Sequence, residues 1–200
     1  MAAAEAVKTE PTDEDVLRGQ LYRLLALYLQ APPKQAELDL AAQLDGDNSP
    51  LGQAISTVAR IAARCEEAAT TQEYNDLFIG MGRGELLPYA SYYLTGFLNE
   101  KPLAKLRNDM TELGIKRQQG VKEPEDHAGA LCEMMAGLIE GDFGDGGLEG
   151  QKEFFNKHLS AWIRHFFTDL ENAKSSVFYA ALGTVGKAFM EIEEAAFQMS

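Results

Sequence analysis

The residue types most capable of chemistry are concentrated in one short segment, Lys122-Glu123-Pro124-Glu125-Asp126-His127. Proline in a first helical turn, with acids beside it, is typical of a helix start, where the positive end of the dipole favours carboxylates. That explanation covers the acids but not His127. A helix start favours a neutral imidazole, whereas the adjacent Asp126 favours the charged form. His127 is also in phase with the apolar Leu131 and Met134, so a packed histidine and a ligand-contacting histidine both remain open.

The other chemical motifs are incomplete. His158 and His165 lie seven residues apart, but a two-histidine metal site would need a third ligand, so no metal is expected. The glycine-rich 80–84 follows a predicted helix instead of a strand and contains no Gly-Lys-Ser/Thr, so it matches neither a dinucleotide fingerprint nor a phosphate loop. Ser91 lacks the Gly-x-Ser-x-Gly elbow of acyl-transfer enzymes. These patterns predict a protein that is not an enzyme and has no cofactor.

Charge limits the class of partner. The 200 residues contain 18 Lys and Arg against 31 Asp and Glu, a net charge of −13. Because nucleic-acid binding requires clustered cations, we expect no nucleic-acid partner, whereas a cationic peptide is favoured. No apolar run approaches about 18 residues, which argues against an integral membrane segment, and the N-terminal residues lack the pattern of a secretory signal. A cytoplasmic location is expected. Cys65 and Cys132 have no metal-type spacing and are predicted to be reduced, packed thiols.

Apolar residues recur at helical spacing throughout the chain, with no convincing alternating strand. The pattern predicts an all-α fold, a single globular bundle of about nine helices. One helix is expected to follow an N-cap at Thr12, one to run to about residue 69, one to begin at Pro124 and one to span about 150–170. Gly114 is expected to end a helix in a left-handed conformation. A flexible tail is expected over 1–12, a helical part over 13–140, a glycine-rich hinge over 141–149 and a helical hairpin over 150–200. The hinge leaves two oligomeric states open. We favour a monomer, with a dimer formed by exchange of the last two helices as the alternative.

Taken together, the motifs resemble those of the TorD/DmsD/NarJ family of redox-enzyme maturation chaperones. Glu123–His127 is similar to the family's E-P-x-D-H signature. Leu21–Leu25 is similar to its first helix, and 74–80 with 88–94 to its central motif. The segment 154–169 is similar to its C-terminal helix. The resemblance covers about residues 15–195, although Tyr89 stands where some members carry tryptophan.

The resemblance implies a TorD-like, cytoplasmic chaperone that binds the signal peptide or apo form of a molybdopterin oxidoreductase. The client would be of the dimethyl-sulfoxide reductase, trimethylamine-oxide reductase or formate dehydrogenase type, and the chaperone would assist cofactor insertion before twin-arginine export. A groove is expected between the loop 80–93 and the helix start at Pro124. The predicted peptide-binding residues are Tyr22, Leu77, Phe78, Leu86, Pro88, Tyr89, Glu123, Pro124, Asp126 and His127. Glu123, Asp126 and Glu85 would face the arginines of the peptide.

Two alternatives differ in class. One is a guanine-nucleotide-binding helical protein, for which GTP would be the ligand even though no phosphate loop is visible. The other is a helical adaptor without a peptide groove, which predicts that Tyr89, Asp126 and His127 are scattered in space.

Overall fold

A computed structural model describes residues 12–117, 120–144 and 147–199. It confirms an all-α fold, and in these ranges it contains ten α-helices and a π-helical turn. The α-helices are α1 Asp13–Gln30, α2 Gln35–Ala41, α3 Pro50–Ala62, α4 Glu67–Tyr74, α5 Ala90–Thr95, α6 Lys101–Glu112, α7 Ala128–Glu140, α8 Leu148–His158, α9 Ile163–Glu171 and α10 Phe178–Met199. The π-helical turn, Asn75–Ile79, continues α4. None of the described helices is both long enough and apolar enough to span a membrane.

Helix α1 begins where the sequence places a cap. Thr12 and Asp15 form a reciprocal capping box, in which each side chain accepts a hydrogen bond from the other's backbone N–H. The apolar face of α1 packs most extensively against α7, whose residues are mostly buried. Helix α7 is therefore the central helix beneath the predicted site.

The C-terminal helices belong to the same core. Helix α10 packs against α3 and α9, and it also contacts α1. Glycines permit the close approach of α9 and α10, since a Cβ at Gly183 would lie 2.6 Å from the backbone nitrogen of Glu171. The predicted division of the chain into a helical part, a hinge over 141–149 and a helical hairpin stays a prediction, because the packing of α10 does not test it. Residues 145–146 of the predicted hinge lie outside the described residues, as does the predicted tail except Thr12.

Three predicted helix boundaries are wrong. The helix expected over 150–170 is two helices, because the chain turns at 159–162 and the indole Nε1 of Trp162 donates to the backbone oxygen of His158 at 2.7 Å. The helix expected to run to about residue 69 ends at Ala62. The helix expected from Pro124 begins at Ala128, since His127 is its N-cap. The predicted left-handed conformation at Gly114 is confirmed.

Candidate functional site

Two predicted site segments are joined by backbone hydrogen bonds. The N–H of Ala90 donates to the oxygen of Asp126 at 2.9 Å, and the N–H of Ala128 donates to the oxygen of Pro88 at 2.7 Å. These bonds form an isolated antiparallel bridge that places Tyr89 opposite His127. Residues about 38 apart in sequence thus meet in space, contrary to the scattering that a featureless adaptor predicts.

His127 is a buried, neutral histidine. Its Nδ1 accepts a hydrogen bond from the N–H of Gly129 at 3.1 Å and so caps α7. An imidazole that accepts at Nδ1 carries its hydrogen at Nε2. Burial lowers the pKa of His127 to about 4, an effect that nearby Glu123 only partly opposes. His127 is therefore uncharged near neutral pH and offers one N–H donor.

Tyr89 links His127 to Glu123. Its ring lies edge-on to the imidazole, with the ring centroids 5.2 Å apart. Its hydroxyl donates a hydrogen bond to Oε2 of Glu123. Burial and this bond to a carboxylate raise the pKa of Tyr89. The phenol thus stays protonated and holds the exposed Glu123 side chain beside the histidine.

A cavity of about 400 Å³ opens beside this cluster, between α1, α6 and α7. Its size is in the range of ligand-binding clefts. The apolar lining is made by Met110, Ile115, Val121, Pro124, Ala130, Met134 and Phe143. Polar lining comes from Gln30 and His127, and the charged rim has four carboxylates against three cations: Glu123, Glu125, Glu133 and Asp142, with Arg23, Lys116 and Arg117. The cavity therefore combines an apolar floor with a mixed rim that has a surplus of negative charge.

Some of the rim carboxylates already have cationic partners. Arg23 contacts Asp142 at 3.3 Å and, outside the cavity lining, Glu140. Oε2 of Glu125 accepts from Arg107 at 2.8 Å. Burial of Glu125 would raise its pKa, but the hydrogen bond and charge of Arg107 outweigh burial and lower it. Glu123, whose side chain is held by the neutral Tyr89, is thus more available to a cationic ligand.

Asp126 does not line this cavity. Its buried side chain faces a smaller recess of about 90 Å³ between α5, α6 and α8. Oδ2 accepts from the N–H of Ser91 at 2.8 Å. Oδ1 and the hydroxyl of Ser91 are buried and have no hydrogen-bond partner among the described residues. Glu123 and Asp126, predicted to act together, therefore belong to separate recesses.

The 400 Å³ cavity does not lie where the groove between the loop 80–93 and Pro124 is predicted, because no residue of 80–93 lines it. Backbone bonds join 88–90 to 126–128, and Ala90 and Asp126 line only the smaller recess, so the predicted groove stays a prediction. The predicted orientation of Glu85 is also not supported, because its carboxylate accepts from the N–H groups of Lys174 and Ser175.

The predicted apolar contacts lie mostly in the core. Tyr22 and Leu77 are fully buried, and the hydroxyl of Tyr22 donates to Glu193 at 3.0 Å. Phe78 packs edge-on against Tyr179. A peptide could touch these side chains only if the core opened, so their placement argues against direct contact. Of the remaining predicted residues, Glu123 is exposed and Leu86, Tyr89 and Pro124 are partly buried. Pro88 and His127 are buried.

Sequence reasoning missed most of the cavity lining. Arg23 lies in Leu21–Leu25, the segment similar to the family's first helix, but its position in the sequence does not indicate that it faces Asp142. Met110, Ile115 and Phe143 come from separate elements, and their positions carry no local signal of a shared cavity.

Among the described residues, no group of three His, Cys, Asp or Glu side chains could hold a metal ion. His158, considered in the sequence as a ligand, instead pairs its Nε2 with Oδ2 of Asp109 at 2.7 Å. Burial of His158 lowers its pKa despite that contact. The pairing explains why this histidine lies inward on α8.

Comparison with known proteins shows the family of the chain. The family model for "Nitrate reductase delta subunit" matches residues 37–168, about two thirds of the chain. The chain belongs to the TorD/DmsD/NarJ family of redox-enzyme maturation chaperones. The signature Glu123–His127 lies within the matched region.

Individual relatives agree with this family. "Chaperone protein TorD" of Vibrio cholerae is 31% identical over 127 residues, which are 60% of this chain and 58% of that protein. The chain thus spans less than two thirds of the length of this relative. "Chaperone protein TorD" of Vibrio atlanticus is 25% identical over 199 residues, covering 88% of this chain and 92% of that protein. "Probable Tat proofreading chaperone DmsD" of Haemophilus influenzae is 29% identical and covers 64% of this chain and 63% of that protein.

The fold is also shared with a solved structure. A putative redox enzyme maturation protein from Archaeoglobus fulgidus superimposes with a TM-score of 0.57 over 94% of this chain and 99% of that one. At 20% sequence identity this likeness concerns the fold alone.

Proposed function

We propose that this TorD-family protein is a cytoplasmic chaperone for a molybdopterin oxidoreductase. It binds the signal peptide or apo form of its client and assists cofactor insertion before twin-arginine export. The family and the names of the relatives support the chaperone role. The observation that carries peptide binding is the 400 Å³ cavity beside Tyr89 and His127, which combines an apolar lining with surplus carboxylates.

A twin-arginine signal has a basic segment followed by an apolar one, and the cavity offers a counterpart for each. Met110 and Met134 contribute flexible, polarisable side chains, which adapt to apolar ligands of different shape. Glu123 projects from the rim and offers its carboxylate to a peptide cation. The Nε2–H of His127 supplies a donor for a peptide carbonyl. The rim cation Arg23 would disfavour basic residues of the peptide on its own side of the cavity.

The test is a titration of the full chain with a labelled synthetic peptide that contains paired arginines and an apolar segment. We expect saturable binding that weakens with added salt, because exposed charge pairs are screened. Glu123→Gln should weaken binding several-fold. Asp45→Asn is the matched control, since it removes one charge from an exposed aspartate that does not line the cavity. Equal affinities of the wild-type protein and Glu123→Gln, with no salt dependence, would refute this binding mode.

A separate experiment addresses the client. Capture of partners from the native cytoplasm should recover an oxidoreductase precursor of the dimethyl-sulfoxide, trimethylamine-oxide or formate dehydrogenase type. Activation of the purified apo-enzyme with molybdenum cofactor should then be faster in the presence of this chain. Recovery of the mature enzyme alone, with no effect on activation, would contradict a maturation role.

In this proposal the chaperone has no cofactor of its own and is a monomer. Titration with GTP and Mg²⁺ in the absence of peptide should give no saturating heat signal, and light scattering should give the mass of one chain. A saturating isotherm would favour the nucleotide-binding alternative. A mass of two chains would favour exchange of the last two helices.

A further inference from the structure

The ring of Phe143 fills a notch in the surface of α7. Gly137 has no side chain, and a Cβ at that position would lie 2.4 Å from Cζ of Phe143 and 2.5 Å from its Cε1. Both distances are shorter than van der Waals contact between two carbon atoms, which is about 3.5–4.0 Å. The ring therefore lies in the space that a side chain at position 137 would take, and glycine leaves that space open.

The notch continues the α7 wall of the 400 Å³ cavity. Residues three or four apart share one face of a helix, so Ala130, Met134 and Gly137 follow one another along the same face of α7. Ala130 and Met134 line the cavity, and so does Phe143, whereas Gly137 does not. The cavity thus stops short of Gly137 because the ring of Phe143 covers the notch.

Phe143 lies in a tight turn that follows α7. Gly141 and Gly144, on either side of it, have positive φ values of 72° and 70°. The backbone just before the ring is fixed, since the N–H of Asp142 donates to the oxygen of Gly137 at 2.8 Å. The side chain of Phe143 is only partly buried. Rotation about its own Cα–Cβ bond can therefore take the ring out of the notch while this backbone bond stays in place.

We propose that Phe143 is a built-in competitor for the apolar side chains of the bound peptide. In the free protein the ring occupies the notch at Gly137, and a bulky apolar side chain of the peptide replaces it there in the complex. The inference rests on the proposed function, since the competing side chain comes from the peptide. It goes beyond that function by naming a residue that selects for bulky apolar side chains, because alanine buries too little apolar surface to displace the ring.

Fluorescence anisotropy of two labelled peptides tests the competition. Both peptides contain paired arginines, and the apolar segment consists mainly of leucine in one and of alanine in the other. A binding-competent state that is only partly populated lowers the apparent affinity by its fraction. For a partly buried ring, Phe143→Ala should tighten binding of the leucine peptide about 5- to 10-fold and leave the alanine peptide within about twofold.

Two further variants separate competition from a general effect. Phe97→Ala makes the same change at an exposed phenylalanine outside the cavity lining and should leave both affinities unchanged. The three heavy atoms nearest to a Cβ at position 137 all belong to Phe143, so a larger side chain fits there once the ring is gone. Gly137→Leu combined with Phe143→Ala should therefore fill the notch and abolish the gain for the leucine peptide. Circular dichroism checks that each variant keeps its helical fold.

Nuclear magnetic resonance observes the ring directly. In the free protein the ring protons of Phe143 should show a nuclear Overhauser effect to the Hα protons of Gly137. This signal should disappear when the leucine peptide saturates the protein.

Persistence of that signal in the complex would overturn the competition while leaving peptide binding established. The same conclusion would follow if Phe143→Ala left leucine-peptide binding unchanged, weakened it, or tightened binding of both peptides equally. Failure of both the wild-type protein and Phe143→Ala to bind either peptide would overturn the proposed function and the competition together.

Discussion

The buried imidazole of His127 should make stability fall as the pH is lowered through the range in which an exposed histidine takes up a proton. In the folded chain burial lowers the pKa of His127 to about 4, while Nδ1 accepts from Gly129. In the unfolded chain the same side chain titrates near its ordinary value of about 6.5. The unfolded state therefore binds the proton first, so full stability is present above pH 6.5 and is lost as the pH falls toward 4.

The size of the effect follows from the two pKa values. Between pH 7.5 and pH 5 the uptake of this proton by the unfolded chain lowers the free energy of unfolding by about 2 kcal/mol. The complete pKa shift corresponds to about 3 kcal/mol. That is a large fraction of the stability of an ordinary domain. An effect of this size is expected because the imidazole is only 6% exposed, so solvent screens its charged form very little.

The assay compares urea unfolding of the wild-type protein and His127→Asn at pH 7.5, 6.5, 5.5 and 5.0. Asparagine is a favoured N-cap and can keep the bond to the start of α7, but it does not titrate. The difference in unfolding free energy between the two proteins should change by about 2 kcal/mol over this range. Titration of His158 and of the carboxylates occurs in both proteins and cancels in that difference. A wild-type pH slope equal to that of His127→Asn would refute the assignment of a buried neutral imidazole.

Three further predictions concern the core. Gly183→Ala should destabilise the fold by about 1–3 kcal/mol in urea unfolding, because the new Cβ meets the backbone of α9 and cannot be accommodated by a side-chain shift alone. Tyr22→Phe should cost about 1 kcal/mol by the same measurement, since it removes the hydroxyl donor to Glu193; an unchanged midpoint would mean that this bond contributes nothing. A thiol reagent at pH 8 should label the partly buried Cys65 in the native protein and leave Cys132 unlabelled, because burial raises the pKa of the Cys132 thiol; equal labelling rates would contradict its burial.

Local features of the chain are those that the sequence predicts well. Helical periodicity, the Thr12 cap and the left-handed Gly114 depend on neighbouring residues and their backbone preferences, and the structure confirms them. A helix start favours a neutral imidazole at His127, and the structure agrees, although burial is the main cause of the lowered pKa. Boundaries failed where a side-chain bond ends a helix without any sign in the apolar pattern, as at Trp162, whose buried indole bonds to the backbone oxygen of His158 four residues earlier.

By itself the sequence determined the helical class, the acidic charge and the signature segment Glu123–His127, because these depend on composition, local periodicity and short motifs. Only the tertiary structure decided which surfaces these residues share. Backbone bonds join Pro88–Ala90 to Asp126–Ala128, and Glu123 and Asp126 line separate recesses. The physical reason is that a cavity is bounded by side chains from elements far apart in sequence, and their meeting depends on the packing of α1, α6 and α7 around a common core.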